Sequence, residues 1–228
     1  MTDDVRSDDG RPLPADPDVM AHRRRSAGRR RFALLALTVL LGGCAALQPP
    51  KVENQTLYVL AAKPLPQAAG PRHDLVVEVT QPRAWPGFGT AQMAYVRRAY
   101  ELDYYAASRW ADTPARMLQP LLVRALEQTG SFRSVIRAPG IVPADARLDT
   151  EIVRLAQDFT VQPSRVELTL RAQLVDVRER RVIASRVFNE IENAPHENAD
   201  GGVVAVNEAL QRLLGQVAEF CIAEAPSR

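Results

Sequence analysis

"SRVELTLRAQLVDV", residues 164–177, alternates without a break: Val166, Leu168, Leu170, Ala172 and Leu174 are apolar, while Arg165, Glu167, Thr169, Arg171 and Gln173 are polar. In a strand, successive side chains point to opposite faces, so this period of two predicts one packed face and one wetted face. That is how an antiparallel sheet covered on one side reads. The flanking stretches "RLDTEIVRLAQDF" (147–159) and "RVIASRVFNEI" (181–191) complete a predicted three-strand meander, with "RER" (178–180) as its second turn.

A one-sided sheet needs a cover, and two stretches with helical periodicity supply it. Thr113 followed by Pro114 opens the first, because the hydroxyl can cap free amides and the ring sits where no helical hydrogen bond is lost. The helix is expected to end at Thr129, before Gly130, with a bend at Pro120. Met117, Leu118, Leu121, Leu122, Ala125 and Leu126 form its buried stripe, and Arg116, Gln119, Arg124, Glu127 and Gln128 its solvent side. Trp110 stands where it can pack on the first turn. The second helix is expected from about Gly202 to Ala223, with Val203, Val206, Leu210, Leu213, Leu214, Val217 and Cys221 along one side and Asp200 near its start. A largely antiparallel sheet packed against two amphipathic helices makes a single α+β domain.

Earlier in the chain, "LYVLAA" (57–62) and "DLVVEVTQ" (74–81) read as strands that neighbour each other, and "MAYVRRAYELDYYA" (93–106) as one long strand with Val96, Tyr100, Leu102 and Tyr104 on one face. A short strand is expected at 134–138. Between them "PRAWPGFGTAQ" (82–92) is a Gly- and Pro-rich loop carrying Trp85 and Phe88. Large rings in such a loop either fold back onto the sheet or serve as anchors for a partner. Both readings stay open, and the two residues are the candidate partner-binding pair.

The front of the chain has another character. Phe32–Leu41 is an apolar run broken only by Thr38, too short for the roughly 20 residues that span a bilayer. Arg23, Arg24, Arg25, Arg29, Arg30 and Arg31 precede it and small residues follow, which is the order of an export signal. The acidic, Pro-containing head before Met20 fits no part of a leader, and Met20 is the expected true start. Leu41, Gly42, Gly43 and Cys44 resemble the bacterial lipobox, in which the cysteine is acylated and becomes the first residue of the mature chain. "GRRRFAL" (28–34) also loosely resembles a twin-arginine export signal. The expected division is therefore 1–43 leader, 44–56 lipidated cysteine and flexible tether, and 57–224 folded domain.

Removing residues 1–43 from the 228 leaves 185; it takes away 8 of the 29 basic and 6 of the 27 acidic residues, so 21 of each remain. A neutral mature chain gives no electrostatic footing for nucleic acid. Cys221 is the other cysteine of the two, sits in an apolar helical stripe, and is read as a buried small hydrophobe. The mature chain has His73 and His196, in separate turn-like segments. It lacks a His pair at helical spacing, a Cys cluster, a nucleophile elbow and a phosphate loop, so no catalytic residue, metal site or cofactor is expected.

The order of elements resembles a known family. The export signal with its lipobox, the early "LYVL", the segment "MAYVRRAYELDYYAASRWADTPARMLQPLLVRALEQTGSF" (93–132), the late three-strand stretch and the C-terminal helix together are similar to the auxiliary lipoproteins of Mce-type ABC transporters. The likeness runs over about 57–222 and is most specific at the Tyr-rich segment leading into "RWADTPARML". It implies a non-enzymatic partner of an ABC ATPase, a permease and an Mce-domain protein that move lipids or other apolar molecules across the cell envelope, and it is compatible with a homo-oligomer. One functional residue carries over, the lipid-bearing Cys44. Ala45 and Ala46 follow it, and neither is the aspartate that resembles an inner-membrane retention signal, so an outer-membrane lipoprotein facing the periplasm is expected. Two other readings are a structural or assembly lipoprotein of another outer-membrane machine and a lipid-active enzyme, the latter disfavoured by the missing polar constellation.

Overall fold

The computed structural model describes residues 55–65 and 71–226. The leader, Cys44 and all of the expected tether but Gln55 and Thr56 lie outside the described residues. The elements, in order, are β1 (Thr56–Tyr58), β2 (His73–Val79), β3 (Arg83–Ala84), β4 (Gln92–Val96), β5 (Asp103–Trp110), α1 (Pro114–Thr129), β6 (Phe132–Arg137), β7 (Ala146–Asp158), β8 (Arg165–Asp176), β9 (Arg181–Asn193) and α2 (Ala199–Ala223). Among the described residues, these strands form one open nine-stranded sheet.

The meander is the frame. β7 with β8, and β8 with β9, make long antiparallel ladders, and the five apolar residues of β8 are all buried while their polar neighbours are half-buried. The other edge of β7 is shared by three short strands that run parallel to it: β2 at Ala146–Leu148, β3 at Glu151–Ile152 and β4 at Ala156–Asp158. Beyond them the sheet forks, into β6 beside β2 on one branch and β5 then β1 beside β4 on the other. The long ladders are antiparallel, and the short ones are parallel except β4 with β5.

Both helices lie on one face. Leu118, Leu121, Leu122, Ala125 and Leu126 of α1 and Val206, Leu210, Leu213, Leu214, Val217 and Cys221 of α2 join the buried side chains of β7 and β8 in one core. Thr113 Oγ1 caps α1 by accepting from Arg116 N at 3.4 Å, and Gly130 ends it at φ 64°, the left-handed geometry that glycine adopts without strain. Asn198 caps α2, its Oδ1 accepting from Gly201 N at 2.9 Å; the helix thus starts three residues before the expected Gly202, with Asp200 in its first turn.

Four sequence expectations change. The stretch 93–106 is not one strand but a hairpin: β4 ends at Val96, the chain reverses through 97–102 with Tyr100 at φ 66°, and β5 returns antiparallel. The alternation runs through the polar tip "RRAYE" because Tyr100 keeps the period of two while its backbone turns. "LYVLAA" contributes only Thr56–Tyr58 to the sheet, and β1 pairs with β5, not with β2. Gln119, assigned to solvent, is buried, because its Nε2 donates to the carbonyls of Val79 and Ala138, both at 3.1 Å, joining α1 to the ends of β2 and β6. The strand expected at 134–138 begins earlier, at Phe132.

Candidate partner-facing surface

Opposite the helices, the sheet carries charge where one strand faces the next. Arg171 pairs with Glu151 at 3.1 Å, Arg154 with Glu167, and Arg165 with both Glu167 at 3.2 Å and Asp158 at 3.4 Å. Opposite charges across neighbouring strands stabilise a sheet modestly while keeping its face wet. Burial pushes the Asp158 carboxyl up, but hydrogen bonds from Thr160 N and Oγ1, at 2.9 and 2.6 Å, and the nearby Arg165 and Arg154 outweigh it and hold the group below its ordinary range.

At the β4–β5 branch this face becomes apolar. Ala94, Val96 and Ala156 form a small second cluster, against which Phe88, Leu102 and Tyr104 pack. The loop after β3 makes this cover. Trp85 N donates to Ile152 O at 2.9 Å, Phe88 N to Trp85 O at 3.0 Å, and Tyr104 Oη to Gly87 O at 3.1 Å. Gly87 sits at φ 95°, a backbone conformation that glycine alone adopts without strain, and a Cβ there would also push on the tip of Leu102, 2.7 Å away. The two candidate residues part here. Phe88 folds back into the sheet, and Trp85 stays 44% exposed.

The segment after β1 runs along the helices as a strap. Tyr58 Oη donates to Asp200 at 2.5 Å, Ala61 N to Asn207 at 3.0 Å, Lys63 N to Gln211 at 2.7 Å and Leu65 N to Gln128 of α1 at 2.8 Å. From residue 58 to 63 an extended chain advances about 17 Å at about 3.3 Å per residue. From 200 to 211 a helix advances about 17 Å at 1.5 Å per residue. The equal advance lets every second amide of the strap meet a side-chain amide on the helices. A shallow groove of about 240 Å³ remains between Ala61–Lys63 and Asn207–Gln211; smaller spaces of about 10 Å³ lie among Leu118, Leu170 and Leu210 and of about 20 Å³ beside Met93, Tyr105 and Gly202.

The titratable candidates do not converge. His73 is half-buried and stacks on Phe132 at 5.9 Å between ring centres, and His196 is exposed in the turn before α2. Cys221 is fully buried and desolvation pushes its thiol up to about 12, which keeps it protonated and inert. Among the described residues, no group of three His, Cys, Asp or Glu side chains could hold a metal, and no helix is long and apolar enough to cross a membrane.

This arrangement has relatives. Residues 58–218 match the family described as the ABC-type transport auxiliary lipoprotein component. The chain belongs to that family. A Xanthomonas campestris protein, assigned to a domain family of unknown function, is similar in structure at a TM-score of 0.68 and 23% identity, covering 74% of this chain and 96% of its own. A second, uncharacterized protein of known structure reaches a TM-score of 0.59 at 14% identity, covering 74% and 99%. No curated protein matches the sequence. Both structural likenesses speak for the fold alone, whereas family membership makes this an auxiliary lipoprotein of ABC-type transport, associated with the cell envelope.

The matched residues of this auxiliary lipoprotein contain the whole helix pair up to Ala218 and the sheet from Tyr58 onward. The strap and the β4–β5 tip of this domain leave no periodic trace in the sequence. Asn207 and Gln211, spaced four apart on α2, are the trace of the strap in the sequence, but nothing local tells which backbone they bind.

Proposed function

We propose that the protein is a non-enzymatic accessory subunit of an Mce-type ABC transport system, held by acyl chains on Cys44 in the outer membrane with its domain in the periplasm. The observation that carries this reading is the family match across 58–218, behind a stretch in which Leu41, Gly42, Gly43 and Cys44 resemble the bacterial lipobox. Energy and substrate movement then belong to the ATPase, the permease and the Mce-domain protein. Trp85, kept exposed by a loop whose other ring is packed, is the partner anchor in this reading, with Phe88 setting its position. Large aromatic side chains at such sites are common hot spots.

The test is capture of the tagged, full-length protein from detergent-solubilised envelopes. The Mce-domain protein, permease and ATPase should be recovered together. Recovery of the components of a different outer-membrane assembly, without any of these three, contradicts the assignment.

A further inference from the structure

The β4–β5 hairpin tip breaks a local rule of backbone conformation. Tyr100 lies at φ 66°, where Gly or Asn is at home and a large side chain is strained, and its ring is fully exposed at 108% relative accessibility. Its charged neighbours are already engaged. Arg97 lies over the Tyr95 ring at 5.1 Å, and Arg98 pairs with Glu101 at 3.4 Å. Tip and strand start together hold Arg97 and Arg98 against Glu101 and Asp103, so no net charge distinguishes them.

The direction of the chain supplies the second observation. β4 runs parallel to β7, so the tip stands at the end of the sheet where β7 passes into its loop to β8. Val161, 37% exposed, is in that loop. β1 runs parallel to β5, away from the tip, with Thr56 level with Ser108. Gln55, the described residue before Thr56, therefore lies on the side of β1 nearer the tip, its Nε2 donating to Ala106 O at 3.2 Å. From Ser108 to Asp103 is about 17 Å at about 3.3 Å per residue. The dozen residues from Cys44 to Gln55 have a contour of roughly 40 Å, enough to pass the tip with slack.

We infer that the β4–β5 tip is a membrane-contact element, with Tyr100 entering the headgroup layer of the bilayer that holds the lipid anchor. This rests on the proposed acylation of Cys44. Tyr suits that layer, having an apolar ring and a polar end, and it is enriched at membrane–water interfaces. The contact by itself is weak, but a short tether raises the effective concentration of the tip at the surface to the order of millimolar. Because the tip is neutral, the contact should be insensitive to salt.

The experiment uses the full-length lipidated protein in vesicles of phosphatidylethanolamine and phosphatidylglycerol, with an environment-sensitive fluorophore on a single introduced cysteine. Cys221 is buried and does not label in the folded protein. The label at Tyr100→Cys should shift to the blue and be quenched by brominated lipid, at low and high salt alike, while the label at Ile141→Cys, an equally exposed residue in the β6–β7 loop, should stay water-like. With the label moved to Arg98→Cys, the shift should be present with Tyr100 intact and lost in Tyr100→Ser. Protein that floats with the vesicles but reports water at both tip positions overturns the inference, as does an equal shift at Ile141. Protein that does not float overturns the anchor reading and the inference with it.

Discussion

Trp85 and Phe88 stand three residues apart in one loop and do different things. Phe88 roofs the Ala94, Val96 and Ala156 cluster, so Phe88→Ala should lower stability by about 2–3 kcal/mol, somewhat less than the about 3–5 for a fully buried ring. Trp85, already 44% exposed, should lose little stability as Trp85→Ala but should reduce recovery of the Mce-domain protein. Thermal unfolding and capture on the same two variants separate these effects, and a large loss of stability in Trp85→Ala would return that ring to the core. Asp158 gives a pH test. Its carboxyl is held below the ordinary carboxylate range, so its contribution to stability is complete above the unfolded value of about 3.9 and disappears as pH falls through the lower folded value. Asp158→Asn should therefore be less stable than the parent at neutral pH, with the gap closing below about pH 4. A gap that stays constant in acid would show that the carboxylate charge is not what Asp158 contributes. The loop's aromatic content was legible in the sequence; which ring faces in was not, because that choice depends on Gly87's backbone and on Tyr104 reaching it from the other strand of the hairpin.

At the scale of elements, the legible parts are those that one period describes. β8 alternates and its inner face is buried residue by residue; the stripe of α2 is continuous from Val206 to Cys221. The parts missed are those that depend on a distant partner. Gln119 looks like a surface residue until the carbonyls of Val79 and Ala138 are brought to it by β2 and β6. The strap looks like a strand, but its amides go to helix side chains. Asn207→Ala with Gln211→Ala should cost about 0.5–1.5 kcal/mol per bond, since Ala61 and Lys63 are exposed enough for water to take over. Amide hydrogen exchange should rise at residues 61 and 63 while the β7–β8 ladder keeps its protection. Exchange rising equally in that ladder would mean that these side chains support the fold as a whole, not the strap.

For the whole molecule, the α+β class and the two-helix cover followed from side-chain pattern, because burying one face of a sheet leaves few solutions. The fork of the sheet did not, since three short parallel partners on one edge of β7 leave no periodic trace. What the domain does depends on where it is held, and the proposal places that hold at one atom, the Cys44 sulfur. Two or more acyl chains are needed for firm anchoring, because each buried methylene contributes only about 0.8 kcal/mol and a single chain binds reversibly. The most direct measurement is mass spectrometry of the mature N-terminus from purified membranes. The account predicts a chain that begins at Cys44 and carries a diacylglyceryl group on its sulfur; an unmodified Cys44, or a mature chain beginning elsewhere, would contradict it.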